Sequence, residues 1–458
     1  MKTVRVPLYT RFLVLLAILL GSLSSLEAAA LTEDQLSRRA EAFVDDLHAG
    51  RFTNALAHFD ETMTAALPAD KLAATWQTVT RQAGAFQRRH GTRTEDLSPY
   101  RIVLVTCEFS QAWLDAKVVF NQAGQIAGLF FLPARKPDQQ TPPYAKPERF
   151  REIEVTFGTP GWELPGTLSV PKGSGPFPAV VLVHGSGPND RDETIGPNKV
   201  FRDLAWGLAS RGIAVFRYDK RTKTHAQKFI AQAATLKPIT VREETMADAG
   251  LALALLRERS EVDASRIFLL GHSLGGMLAP RIASDHPGFA GLIILAGSTR
   301  PLEKMMIEQM EYIAQADGTV SEQEQRQLDT TRQAVERISA LTTRDATNTE
   351  AILGAPAAYW LDLRAYDAPA TAAKLHVPML ILQGLRDYQV TEKDLAGWRA
   401  VLPGRKDVTF KTYPKLHHLF IAGEGPSTPA EYTIPGFVDE EVIRDVTEWI
   451  SLQPPARR

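Results

Sequence analysis

A nine-residue stretch constrains this chain more than any other: Phe268-Leu269-Leu270-Gly271-His272-Ser273-Leu274-Gly275-Gly276. An apolar run that reads as a buried strand ends abruptly in Gly-His-Ser-Leu-Gly, and a helix-like stretch follows. This is the strand, sharp turn and helix context of a G-x-S-x-G elbow. A serine on so tight a turn has a strained backbone, and flanking glycines without Cβ let strand and helix approach closely. The turn lifts the Ser273 hydroxyl clear of the sheet, where a base and a substrate carbonyl can reach it. Taken alone, the pattern also fits a glycine-rich loop with no chemistry, so its meaning depends on the rest of the chain.

The surroundings of the elbow alternate. Strand patterns run over Glu152 to Phe157, Leu164 to Val170 and Ala179 to Val183, the last almost continuously apolar, as a strand covered on both faces would be. A helix pattern follows at Val200 to Ser210, a strand at Ile213 to Tyr218 and a helix at Val241 to Arg257. The elbow's strand is Arg266 to Leu270 and its helix Leu274 to Asp285. Further strands read at Ala290 to Ala296, Met379 to Gly384 and Val408 to Tyr413, with helices at Lys393 to Leu402 and Val438 to Leu452. Such alternation predicts an α/β fold, a mostly parallel sheet with helices on both faces. Residues 300 to about 376 break it. They carry no strong strand, and Leu302, Met306, Met310 and Ile313 form a helical apolar stripe. This reads as a helical cap insertion over the sheet edge, although simple helix packing explains the stripe equally well.

The chain ahead of this region differs in texture. Leu31 to about Leu67 has helical spacing, with Leu36, Ala40, Phe43, Val44 and Leu47 on one face, and Pro68 opens another helix. Tyr100 to Phe109, Ala112 to Phe120 and Gln125 to Leu132 then read as strands, the last two joined by an Asn121-Gln122-Ala123-Gly124 turn. Residues 31–132 are thus a small α+β domain. Its histidines, His48, His58 and His90, lack metal-ligand spacing. Residues 133–147 hold five prolines and read as a semi-rigid linker, so the catalytic candidate domain is 148–458.

Residues 1–30 read as a secretory signal peptide. Lys2, Arg5 and Arg11 precede a short apolar run from Phe12 to Leu20, and Ala28-Ala29-Ala30 supplies an A-x-A site. The run is short for a membrane span, so the expected mature chain is exported, periplasmic or secreted, with no membrane span. The single Cys107 excludes an internal disulfide, and its apolar setting reads as a packed thiol. With a formal net charge of -1 and no basic patch, nothing in the sequence suggests a nucleic-acid partner, and none is expected.

A serine hydroxyl is a weak nucleophile that needs a base, and the base needs an orienting acid. The chain order Ser, Asp or Glu, then His is testable here. Of ten histidines only His417 and His418 follow a strand-end acid that itself follows Ser273. That acid is Asp387, three residues past Gly384; Asp367 lies outside any strand and Asp394 inside a helix. Capping the next helix is the alternative role for Asp387, but Thr391 is better placed for that. Spacing alone does not choose between His417 and His418. His272 is too close to Ser273 on the turn to serve it. An oxyanion needs two backbone N–H groups: one from Leu274, and one from the His184-Gly185-Ser186-Gly187 loop, where Ser186 is the expected donor.

Residues 148–458 resemble an α/β-hydrolase. The Gly271 to Gly276 and His184 to Asp192 runs, with Arg217-Tyr218-Asp219-Lys220-Arg221, are similar to those of bacterial esterases of the esterase-D type, which often carry a small upstream α+β domain of unknown function. The family's last motif commonly reads Gly-Leu-Asn-His-Leu-Phe. Against Lys415-Leu416-His417-His418-Leu419-Phe420, the resemblance implies that His418 is the catalytic histidine and that His417 replaces the asparagine. It further implies a serine hydrolase of small-molecule carboxylic esters, working through Ser273, Asp387 and His418 with no metal or cofactor. The same triad serves peptidases and acyl-thioesterases. Export argues against acyl-CoA, and residues 31–132 show no propeller-type repeat. A non-catalytic binding protein on the same scaffold is the remaining reading. The physiological ester and the oligomeric state are not legible.

Overall fold

The computed structural model describes residues 31–455 except 98, 137–140, 234–238 and 317. The signal-peptide reading of 1–30 and the middle of the proline-rich stretch lie outside the described residues. The chain divides into two compact units between Phe131 and Leu132.

In the first unit, helix Glu33–His48 starts at an N-cap, Thr32, whose side chain accepts from Gln35 N–H while the Gln35 side chain reaches back to the cap. Leu36, Ala40, Phe43, Val44 and Leu47 are buried along one face. Short helices Phe52–Leu56 and Glu61–Ala66 follow, then Ala69–Ala83. Pro68 caps that last helix rather than forming its first turn. Four antiparallel strands complete the unit in the order β1 (Phe86–Leu97), β2 (Tyr100–Phe109), β3 (Trp113–Phe120) and β4 (Ile126–Pro133). The helices pack on Val103, Val105, Cys107, Phe109, Val118 and Phe120. β1 is an addition to the three strands that the sequence predicts. It reads Phe-Gln-Arg-Arg-His-Gly-Thr-Arg-Thr-Glu-Asp-Leu and lacks apolar alternation. As an edge strand it is held by its ladder to β2 and by ion pairs such as Arg89–Asp45 and Arg93–Asp115, each at 2.7 Å.

The second unit is built on an eight-stranded sheet. Its strands are β5 (Phe150–Phe157), β6 (Leu164–Pro171), β7 (Phe177–Val183), β10 (Ala214–Tyr218), β11 (Val262–His272), β12 (Gly291–Leu295), β13 (Met379–Gly384) and β14 (Val408–Tyr413). A small hairpin, β8 (Thr194–Ile195) and β9 (Asn198–Lys199), lies between β7 and β10. The sheet order is β14-β13-β12-β11-β7-β10-β6-β5, parallel throughout except that β6 runs against both neighbours. Alternation sorts the central strands between two cores. Val180, Leu182, Phe268 and Leu270 face helices Val200–Ala209 and Glu440–Leu452. Val181, Val183, Ile267 and Leu269 face helices Ala247–Arg257 and Leu274–Asp285. The helix predicted from Val241 begins with a π-helical turn, Arg242–Met246. Helices Leu302–Ala314, Glu322–Ala340, Ala357–Arg364 and Ala368–Lys374 occupy the insertion before β13.

The chain leaves β7 for β10 on one side and returns to β11 on the other. The crevice at the carboxyl ends of β7 and β11 is therefore the topological switch point, where ligands bind in open α/β sheets.

Candidate active site

β11 runs straight into the elbow. Ser273 has φ 53° and ψ −116° and caps helix Leu274–Asp285, and its N–H donates to Leu295 O of β12 at 2.9 Å. The glycines have measurable reasons. A Cβ on Gly271 would overlap the Gly275 carbonyl, and one on Gly275 would overlap the Val183 carbonyl and lie 2.7 Å from His184 O. A Cβ on Gly276 would lie 2.9 Å from Gly297 Cα. The helix thus starts hard against the ends of β7 and β12, and only glycine fits there.

Asp387 lies in the loop after β13 and is buried. Its Oδ1 accepts from Gln389 N–H at 2.8 Å and Val390 N–H at 3.0 Å; its Oδ2 faces His418 Nδ1 at 2.7 Å. With a carboxylate opposite it, Nδ1 carries the proton, and a neutral His418 ring keeps its lone pair on Nε2. Thr391 caps the next helix and Asp394 completes that cap while pairing with Arg300, so both are structural. The hydrogen bonds of His418 among the described residues run to Asp387 and, at its carbonyl, from His272; none runs to Ser273. Such contacts are commonly long before substrate binds.

The structure separates the two adjacent histidines. His417 accepts Leu419 N–H on Nδ1 at 3.1 Å and stands edge-on to Tyr432, with ring centroids 5.2 Å apart. Burial brings its pKa down to about 4, so it is a neutral packing residue.

Ser186, Ser273 and Leu274 line one cavity of about 640 Å³. Among the described residues, neither the Ser186 nor the Leu274 N–H has an acceptor within the chain. Leu274 is the first residue of its helix, so its amide points outward with the positive end of the dipole. Leu302, Met305, Met306, Leu353 and Trp360 supply apolar wall; Glu244, Tyr359 and Gln309 add polar groups. Of the predicted stripe, Leu302 and Met306 face the cavity, while Met310 turns to Thr331 of the neighbouring helix, whose hydroxyl donates to its sulfur at 3.1 Å.

Sequence reasoning missed Glu193. It is 1% exposed with φ 47°. Its Oε1 accepts Gly185 N–H at 2.7 Å and its Oε2 faces His272 Nδ1 at 2.9 Å. His272 Nε2 in turn donates to the His418 carbonyl at 2.9 Å. Burial pulls the His272 pKa down, but the adjacent carboxylate outweighs it and the net shift is upward. Burial likewise opposes ionisation of Glu193, and the imidazolium's charge and hydrogen bond win, leaving its pKa below the ordinary value. With Glu193 at Nδ1 and the His418 carbonyl at Nε2, His272 holds its second proton more strongly than a free imidazole and joins the elbow to the His184 loop and to the His418 loop. A glutamate nine residues after His184 is the signal the sequence offers for it, and nothing in the sequence marks it as buried.

All five non-glycine residues with left-handed backbone among those described sit around this crevice: Glu193, Ser273, Ala296 after β12, Leu353 on the cavity wall and Phe420 two residues past His418.

Residues 176–424 match the family model described as serine aminopeptidase, S33, and residues 40–129 match one described as a protein of unknown function, DUF3887. Esterase EstD of Thermotoga maritima is 40% identical over 413 residues, 90% of this chain and 95% of the relative. The chain is an esterase of the α/β-hydrolase family. It hydrolyses carboxylic esters, and its substrate is a small-molecule ester. The resemblance read from the Gly271, His184 and Arg217 motifs is borne out at this level. Two solved esterases are more distant from the esterase described here. One, from Pyrococcus furiosus, has TM-score 0.43 and 16% identity, over 66% of this chain and 92% of its own. Est1E from Butyrivibrio proteoclasticus has TM-score 0.41 and 16% identity, over 65% and 99%. Among the described residues of the esterase, no helix is long and apolar enough to cross a membrane.

Proposed function

We propose that the esterase works through an acyl-enzyme on Ser273. Ser273 Oγ attacks the ester carbonyl carbon as its proton passes to His418 Nε2. Asp387 keeps that ring in the correct tautomer and stabilises the imidazolium. The carbonyl oxygen becomes an oxyanion held by the Ser186 and Leu274 N–H groups. His418 returns the proton to the departing alcohol. Water then attacks the acyl-enzyme, giving up its proton to His418; the intermediate collapses, the bond to Ser273 Oγ breaks, His418 returns the proton to that oxygen, and the acid leaves. The observation that carries this reading is the 2.7 Å contact between His418 Nδ1 and Asp387, in a pair that follows the Ser273 elbow in chain order.

The test uses pure, folded enzyme and p-nitrophenyl esters. Ser273→Ala should lower kcat on the order of 10⁴-fold or more and abolish fluorophosphonate labelling; retained turnover would sink the reading. His418→Ala should be far more damaging than His417→Ala, and the reverse order would move the base one residue upstream. The family model's description names an aminopeptidase, so an aminoacyl anilide belongs beside the esters; faster cleavage of the anilide would favour peptides.

The N-terminal charge, apolar run and Ala28-Ala29-Ala30 support export with removal of residues 1–30. N-terminal sequencing of protein from a periplasmic fraction tests it, and a chain still beginning at Met1 would refute cleavage. The helices of residues 300–376 carry Leu302, Met305 and Met306 on the cavity wall and are proposed to set acyl preference.

A further inference from the structure

Gly185 and Ser186 share one peptide, whose carbonyl belongs to Gly185 and whose N–H belongs to Ser186. In a trans peptide the two groups point in opposite directions. The carbonyl is held from two sides: Lys220 Nζ donates to it at 3.0 Å and Asn189 Nδ2 at 3.2 Å. Whatever fixes the carbonyl therefore aims the N–H the other way. Ser186 lines the cavity with Ser273, and a Cβ on Gly185 would lie 3.2 Å from Ser273 Cβ.

Lys220 is 2% exposed, an unusual place for an ammonium. It stands just past β10, the neighbour of β7, and its own N–H donates to Asn189 O at 3.0 Å. Its charge is met by Glu244 Oε1 at 2.7 Å. Glu244 Oε2 accepts from Tyr359 OH at 2.8 Å, and Glu244 and Tyr359 both line the cavity. Three contacts thus run from the insertion helix Ala357–Arg364 to the carbonyl of the Ser186 peptide. A cation on a peptide oxygen draws electron density from the N–H and makes it a stronger donor, as in any polarised hydrogen-bond chain. The gain is greatest when the acceptor bears full negative charge, in the tetrahedral intermediate rather than in the bound ester.

We propose that Lys220 is a positioning residue for the oxyanion hole: through the Gly185 carbonyl it aims and strengthens the Ser186 N–H, and Glu244 and Tyr359 hold it in place from the substrate cavity. This rests on the assignment of Ser273 and Ser186 made above.

Lys220→Met removes the charge at similar length but leaves Glu244 buried and unpaired. Lys220→Met/Glu244→Gln removes both charges and keeps an acceptor for Tyr359. Active sites are counted by fluorophosphonate labelling, so every rate refers to folded, reactive enzyme. Affinity is measured for a trifluoromethyl ketone, whose hemiketal oxyanion imitates the intermediate. In the double variant kcat per labelled site should fall about 10- to 100-fold, short of the roughly 10²–10³ expected for outright loss of a donor. Ketone affinity should fall by the same factor while KM changes less than about threefold, a split that a merely structural role would not produce. Tyr359→Phe, which removes one hydroxyl, should give a smaller fall of both in step, and it decides the matter if the lysine variants do not fold. Unchanged kcat, or a fall in kcat without loss of ketone affinity, overturns the proposal. Wild-type enzyme that does not label at Ser273 would refute the underlying assignment instead, before any variant is made.

Discussion

Glu193 is the residue whose loss can be followed most closely. Glu193→Ala removes two acceptors with one side chain. Gly185 N–H loses its partner at 2.7 Å, and an orphaned buried donor costs about 1–3 kcal/mol. His272, 2% exposed, loses a carboxylate at 2.9 Å, and breaking such a buried pair costs about 3–5 kcal/mol. The two losses overlap, so about 4 kcal/mol is expected rather than their sum. In Glu193→Gln the amide oxygen still accepts from Gly185, and the amide N–H₂ faces Nδ1 of a now neutral His272 that keeps its Nε2 proton for the His418 carbonyl. The cost should be about 1–2 kcal/mol. The pH dependence has a definite sign. The folded His272 pKa lies above its reference of 6.5, so its contribution is complete below 6.5 and is lost as pH rises through the folded value. The folded Glu193 pKa lies below 4.5, so its contribution is complete above 4.5 and is lost as pH falls through the folded value. The pair is therefore at full strength between pH 4.5 and 6.5. Urea unfolding followed by tryptophan fluorescence near pH 5.5 and near pH 9 measures this, and the gap between wild type and Glu193→Gln should narrow at the higher pH. A gap that widens, or a Glu193→Ala protein within about 1 kcal/mol of wild type, would refute the assignment of a charged pair.

Asp387→Asn should lower kcat about 10⁴-fold with little change in KM. Its oxygen must face the Gln389 and Val390 N–H groups, so its N–H₂ is aimed at His418 Nδ1 and forces the proton onto Nε2; steady-state kinetics with both constants resolved checks this. Gly275→Ala should lower Tm by about 5 °C, measured by calorimetry, because the new methyl overlaps the Val183 carbonyl and the helix must move off the sheet. Cys107 is fully buried and its thiol is pushed up to about 12 by burial, so iodoacetamide should label it only after denaturant is added, as read by mass spectrometry.

The parts of the site that were legible from the sequence are those with local signatures. The elbow announces itself because a strand pattern stops at Gly271 and a helix pattern starts at Leu274. Asp387 stands out because it follows a short apolar strand. Spacing does not choose between His417 and His418; the choice depends on which ring meets Asp387, and that is visible only in the fold, where His418 Nδ1 lies 2.7 Å from Asp387 and His417 packs against Tyr432. Glu193 and Lys220 were missed for another reason. The imidazole that Glu193 meets lies 79 residues away and the carbonyl that Lys220 holds lies 35 away, and a charged residue in a loop looks solvated until the fold closes over it. The edge strand β1 was hidden because ion pairs stand where apolar alternation is usually sought.

The five left-handed residues around the crevice bear on how this chain responds to selection. Each such backbone costs on the order of 1–3 kcal/mol, and glycine at any of them would relieve it. Variants chosen for heat resistance should therefore collect glycine at Ser273 or Ala296, where little packing is lost, and not at Glu193 or Phe420, whose buried side chains contribute more than the strain they carry. Variants chosen for turnover should reject those glycines. A library screened in both ways would map the catalytic rim without reference to any substrate.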